Sequence, residues 1–172
     1  MPDAKFDALA VAVGERLKAR GMLLAAAESC TGGWVAQVVT SVSGSSEWFD
    51  RGFVTYSNAA KQEMLGVPAE ILDQFGAVSE QTAQAMASGA LVHSGASIAL
   101  AVTGVAGPAG GTPTKPVGMV CFAWARRDGP PRSATLRLAG DREQVRRQSV
   151  VAALEGLLRE LDAVPGSGAP RR

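Results

Sequence analysis

The feature that most constrains this chain is the stretch Leu23-Leu24-Ala25-Ala26-Ala27-Glu28-Ser29-Cys30-Thr31-Gly32-Gly33, an apolar run that stops abruptly at small polar residues and two glycines. It reads as a buried strand running into a helix. The start of that helix presents unpaired N–H groups, and Gly32 and Gly33 let a ligand come close to the backbone, so an anion or a developing oxyanion is favoured there. Ser29 stands where a nucleophile would be useful. The same residues also suit an ordinary strand-turn-helix in which Ser29 or Thr31 is only the N-cap.

The same alternation runs on either side of this stretch. Phe6, Leu9, Ala10, Val13 and Leu17 recur at helical spacing ahead of Gly21, and Trp34, Val35, Val38 and Val39 continue the helix after the glycines. Ser43-Gly44-Ser45-Ser46 is a polar turn whose serines either hold a ligand or bond their own backbone. Phe53-Val54-Thr55-Tyr56 has strand composition and Ser57-Asn58 caps a helix that Gly66 ends, so Tyr56 and Lys61 flank a second strand-to-helix junction. Pro68 opens a short helix to Phe75, and Ser79 caps a longer one whose Thr82, Ala85, Met86, Gly89 and Ala90 make a face of small residues. The single histidine, His93, near the end of that helix, fits a surface or helix-dipole partner better than a base.

Ser97 to Val102 is a continuous apolar run typical of a central strand, and it breaks into a long glycine- and proline-rich loop from Thr103 to Pro116. Open α/β sheets place ligands beside loops of this kind at strand ends. Residues 117–125 resume strand character, 133–139 alternate as an edge strand, and Gly140-Asp141 starts a last helix striped by Val145, Val150, Leu154, Leu157, Leu158 and Leu161. Arg142 and Arg146, four apart on that helix, could grip a phosphate together. The expected fold is a single three-layer α/β/α domain over residues 1–164, with a central, largely parallel mixed sheet from strands near 22–28, 52–57, 97–103, 117–125 and 133–139. Residues 165–172 read as a flexible tail.

Composition narrows the chemistry. Seventeen basic residues against sixteen acidic ones leave a net charge of +1, which gives no support for nucleic-acid binding, and any phosphate bound belongs to a small molecule. No apolar run reaches the roughly 20 residues of a membrane span and no secretory signal precedes the first helix, so a cytoplasmic, membrane-free protein is expected. Cys30 and Cys121 are far apart in sequence and predict no disulfide; Cys30 is either a small buried filler or a second nucleophile candidate. One histidine and two separated cysteines make neither a zinc site nor a Ser-His-Asp triad, so no metal or cofactor is expected. The remaining base for Ser29 is a lysine whose charge is weakened by burial, and Lys61 with Tyr56 has the composition for that role.

Taken together, Ala27 to Gly33, the Gly44-Ser45-Ser46 turn, Val54 to Lys61 with Leu65-Gly66-Val67, Gly76-Ala77-Val78-Ser79, Ala101 to Pro108 with Gly110 to Pro113 and Lys115 to Gly118, and Gly140-Asp141-Arg142 closely resemble the CinA C-terminal domain family. The resemblance runs over nearly the whole chain, with Ala109 where another glycine is expected. It implies a nicotinamide-nucleotide amidase, hydrolysing the carboxamide of nicotinamide mononucleotide to nicotinate mononucleotide and ammonia. Larger members carry a further N-terminal domain resembling molybdopterin-biosynthesis proteins, and this chain looks like the stand-alone form.

By the same resemblance Ser29 attacks the carboxamide carbon and Lys61 and Tyr56 manage the protons, with the principal base either of the two. Ser46 and Thr103 hydrogen-bond around the reacting centre, backbone N–H groups near Thr31, Gly32 and Gly33 or Gly104 form the oxyanion hole, and Arg142, with Arg146, holds the nucleotide phosphate. The partner is then a small pyridine nucleotide; a homodimer is permitted by the small-residue helix faces but not required. The alternatives are an amidase for another carboxamide and a non-catalytic nucleotide-binding or competence-related interaction module.

Overall fold

The computed structural model describes residues 3–165; of the tail expected over 165–172, all but Pro165 lies outside the described residues. The chain runs α1 (Ala4–Arg20), β1 (Leu24–Glu28), α2 (Trp34–Thr40), a 3₁₀ turn (Ser45–Glu47), β2 (Phe49–Val54), α3 (Asn58–Leu65), α4 (Ala69–Phe75), α5 (Glu80–Val92), β3 (Ile98–Gly104), β4 (Met119–Arg126), β5 (Arg132–Arg137) and α6 (Arg142–Asp162). The strands form one sheet in the order β2-β1-β3-β4-β5. β1 pairs in parallel with both β2 and β3, whereas β4 runs against β3 and β5, so four strands point one way and β4 the other.

Local chemistry fixes the helix ends. Asp3, Ser57 and Ser79 accept first-turn N–H groups of α1, α3 and α5, and Asp141 with Gln144 forms a reciprocal capping box on α6. Strand β2 begins at Phe49, three residues before the expected strand, and leaves the sheet after Val54. Asp50-Arg51-Gly52 has poor strand propensity, but it lies on an edge where pairing with β1 settles the matter.

The two faces of the sheet are built from residues of different size. Leu24, Ala26, Ile98, Leu100, Val102, Val120, Phe122 and Trp124 pack against α1, α2 and α6. On the other face Ala25, Ala27, Ala99, Ala101, Cys121, Ala123 and Ala125 meet Leu65 of α3, Leu72 of α4 and Ala83, Met86, Ala87 and Ala90 of α5. Short side chains bring α5 close to the sheet, and Gly89 lies so near α3 that a Cβ there would collide with the Leu65 carbonyl. Of the small-residue face of α5, Thr82, Met86, Gly89 and Ala90 are buried against these elements and Ala85 is half-buried.

Strand alternation decides which side chains reach the site. Glu28 and Cys30 fall on the α2 and α6 side, Ser29 on the α3 and α5 side. One step beyond the pairs Glu28–Val54 and Glu28–Val102, Ser29 stands between Thr55 and Thr103; Thr103 pairs with Cys121 and Cys121 with Thr135. A row of hydroxyls and one thiol therefore crosses all five strand positions where the alanine face ends.

Candidate active site

Ser29 follows the last residue of β1, at the point where β2 lies on one side and β3 on the other, the usual ligand crevice of an open α/β sheet. Its Oγ is 3.1 Å from the Nζ of Lys61 on α3. The amine also donates to the carbonyls of Thr55, at 3.0 Å, and Tyr56, at 3.4 Å. Lys61 is 1 % exposed and Ser29 7 %. Burial pulls the Lys61 pKa below its ordinary 10.5, opposed by the nearby Cys30, so the amine holds its charge less firmly than an exposed lysine does. Among the described residues no carboxylate bonds to this amine, which leaves the lowering effect of burial uncompensated by an ion pair.

A cleft of about 280 Å³ opens over the pair, lined by Ser29, Tyr56, Lys61, Thr103, Gly104 and Arg142 among others. Thr103 donates its hydroxyl to the Ala77 carbonyl at 2.7 Å, tying the segment before α5 to the cleft wall. At the mouth, Arg142 donates to the Gly107 carbonyl and to the Tyr56 hydroxyl, each at 2.9 Å. The Tyr56 side chain is 62 % exposed. Its phenol therefore engages Arg142, while its backbone carbonyl holds Lys61.

Several candidates lie elsewhere. Ser46 is exposed in the 3₁₀ turn beside the start of β1, where Leu24 N–H donates to the Trp48 carbonyl; the length of β1 separates that end from Ser29 by roughly 16 Å. The turn precedes β2, and parallel neighbours start at the same sheet end, so the serines cannot reach the strand tips. Arg146 donates to the carbonyls of Cys30 at 3.0 Å and Thr31 at 3.2 Å, with its guanidinium 5.4 Å from the Trp34 ring centre. It buttresses the turn after Ser29 from behind.

The helix start expected to attract an anion already holds one. Glu28, fully buried, accepts from Thr31 Oγ1 at 2.6 Å, Val35 N–H at 2.8 Å and Ala36 N–H at 3.1 Å. Gly32 N–H donates to the Ser29 carbonyl and Thr31 is buried, so neither faces the cleft as a free donor. The sequence reading missed this carboxylate, although an acid directly after three alanines in a strand, three residues before a threonine, is the signal of a buried helix cap. Cys30 sits in the opposite core, where burial pushes its thiol up to about 11 and so disfavours the thiolate that a nucleophile needs.

A serine in contact with a buried lysine, whose charge burial disfavours, on an open α/β sheet is an arrangement suited to nucleophilic catalysis. The CinA C-terminal domain model matches residues 6–161, and the chain belongs to that family. A relative described as nicotinamide-nucleotide amidohydrolase PncC, from Enterobacter agglomerans, is 51 % identical over 160 residues, covering 93 % of this chain and 98 % of its own. The protein of the same description from Escherichia coli K12 is 51 % identical over 157 residues, with 91 % and 95 % covered. Among solved structures, a competence/damage inducible protein from Agrobacterium tumefaciens superposes with a TM-score of 0.88 at 44 % identity, covering 94 % of this chain and 98 % of that one.

Proposed function

We propose that this chain hydrolyses the carboxamide of nicotinamide mononucleotide, giving nicotinate mononucleotide and ammonia, with Ser29 as nucleophile and Lys61 as base. The substrate class is that of the PncC relatives. The observation that carries the mechanism is the 3.1 Å contact between the Lys61 amine and the Ser29 hydroxyl. A neutral amine has two N–H bonds and one lone pair. With the Thr55 and Tyr56 carbonyls accepting the two hydrogens, the lone pair is turned to Ser29.

The Ser29 O–H bond breaks as its oxygen bonds the carboxamide carbon and its proton passes to Lys61. Collapse of the tetrahedral intermediate breaks the C–N bond, and Lys61 returns the proton to the leaving nitrogen as ammonia. Water then attacks the ester, giving a proton to Lys61 that is passed back to Ser29. The peptide groups of Cys30, Ala106 and Gly107 line the cleft and are the places from which an oxyanion can be held. Arg142, which reaches both Tyr56 and Gly107 at the mouth, takes the nucleotide phosphate; Arg146, already bound to two carbonyls, does not.

The reaction is proposed to need no metal, a reading supported by the absence, among the described residues, of any group of three His, Cys, Asp or Glu side chains placed to hold one. The test is ammonia release from nicotinamide mononucleotide by the purified protein, before and after EDTA treatment. Equal release in both is expected; none from the parent protein rules out the substrate, and loss on EDTA that added metal restores rules out the metal-free mechanism.

A further inference from the structure

Among the described residues, no aspartate, glutamate or histidine lines the cleft over Ser29. Lys61 is then the base for both halves of the reaction. With the Thr55 and Tyr56 carbonyls each taking one N–H, the neutral amine keeps a single lone pair, and that lone pair points toward Ser29. The nitrogen that leaves and the water that replaces it therefore stand in turn at one place. What qualifies a molecule for that place is a hydrogen to give to Lys61 and a lone pair to give to the ester carbon.

Water meets that description, and so does a small amine. We propose that the chain is also an acyltransferase, passing the acyl group held on Ser29 to primary amines close to ammonia in size. The amine nitrogen bonds the ester carbon as one of its protons passes to Lys61; collapse of the intermediate breaks the bond from that carbon to the Ser29 oxygen, and Lys61 returns the proton to Ser29. The sum is an exchange of one amide for another, in which ammonia leaves, the acceptor enters and no water is consumed. Burial sets the size of the acceptor. Its nitrogen has to come within hydrogen-bond reach of Lys61, which is 1 % exposed, beside Ser29, which is 7 % exposed, so a bulky group close to that nitrogen is kept out. The cleft of about 280 Å³ is shared with the nucleotide, which narrows the place further. The inference rests on the serine–lysine reading above and goes beyond it in adding a second class of reaction.

Hydroxylamine, small and uncharged near neutral pH, is the probe. The purified protein is given nicotinamide mononucleotide with and without it, and ammonia, nicotinate mononucleotide and the hydroxamate, read through its ferric complex, are followed together. The hydroxamate should rise with hydroxylamine while nicotinate mononucleotide falls by the same amount, about two- to tenfold at about 0.5 M, because an amine is the stronger nucleophile toward an ester. Ser29→Ala should make no hydroxamate. O-tert-butylhydroxylamine, which has similar nitrogen chemistry and a bulky substituent, should give about 10-fold less product or lower still. Ammonia release with nicotinate mononucleotide as the sole product in hydroxylamine overturns the transfer and leaves the amidase reading standing. Hydroxamate formed equally by Ser29→Ala, or equally from the bulky amine, also overturns the proposal. Failure of the amidase reading itself looks different: the parent protein then releases no ammonia even without hydroxylamine.

Discussion

The two walls of the cleft are held in different ways. On the α3 side Lys61 and Ser29 are buried, bonded to each other and to two backbone carbonyls, with burial shifting the lysine toward its neutral form. On the α6 side Arg142 stands at an open mouth, bonded to an exposed phenol and a loop carbonyl that solvent or a ligand can replace. A proton is moved where the dielectric is low and the geometry fixed; a charged ligand is gripped where the side chain can still rearrange. On the proposed mechanism the difference assigns chemistry to one wall and affinity to the other.

Removing Ser29 should show the largest effect. Ser29→Ala is expected to lower kcat more than about 1,000-fold while the far-ultraviolet circular dichroism and melting temperature stay at parent values. Lys61→Ala should cost roughly 100- to 10,000-fold in kcat with little change in KM. The parent's kcat/KM should rise with pH as the amine loses its proton, and because burial lowers that pKa, the rise should be centred below the 10.5 of an ordinary lysine. A rise centred at or above that value would mean that Lys61 is not the base.

On the other wall, Arg142→Ala should weaken binding by about 1.5–3 kcal/mol, seen as KM for the mononucleotide, with a smaller loss in kcat. Nicotinamide riboside, which lacks the phosphate, should be a poor substrate and nearly indifferent to the change. Arg146→Ala separates the two arginines of α6: it frees the Cys30 and Thr31 carbonyls and should lower stability by about 1–2 kcal/mol, read in urea unfolding, with KM unaltered. The smallest effect belongs to Cys30→Ala, which should keep most of kcat because the thiol faces the other core. Strong inactivation there would erase the contrast between Ser29 and its neighbour.

Much of this arrangement was legible in the sequence because the signals were local. Gly21, Gly66, Ser57, Ser79 and Asp141 each ended or began a helix within their own few residues, and the uninterrupted apolar run at Ile98 marked the centre of the sheet. The pairing of Ser29 with Lys61 across 32 positions was open to chemical elimination, since few other bases were left. What stayed hidden was direction. Arg142 and Arg146 share a helix face, yet one turn of rise puts the first at the cleft and the second behind it. Ser46 looked equivalent to any other serine in a glycine turn until the register put it at the wrong end of β1. Glu28 was silent because a buried charge shows its purpose only once the amides it serves have been placed.

The contact of Gly89 with the Leu65 carbonyl bears on how this sequence can drift. Leu65 lies one turn beyond Lys61 on the same helix, so anything that lifts the end of α3 off α5 displaces the amine from Ser29. A position that meets no ligand and carries no functional group is thereby placed under the same selection as the reacting atoms. In a saturation library sorted for activity, the tolerance map would show two intolerant sites, Lys61 on α3 and Gly89 on α5, and only one of them would be chemical.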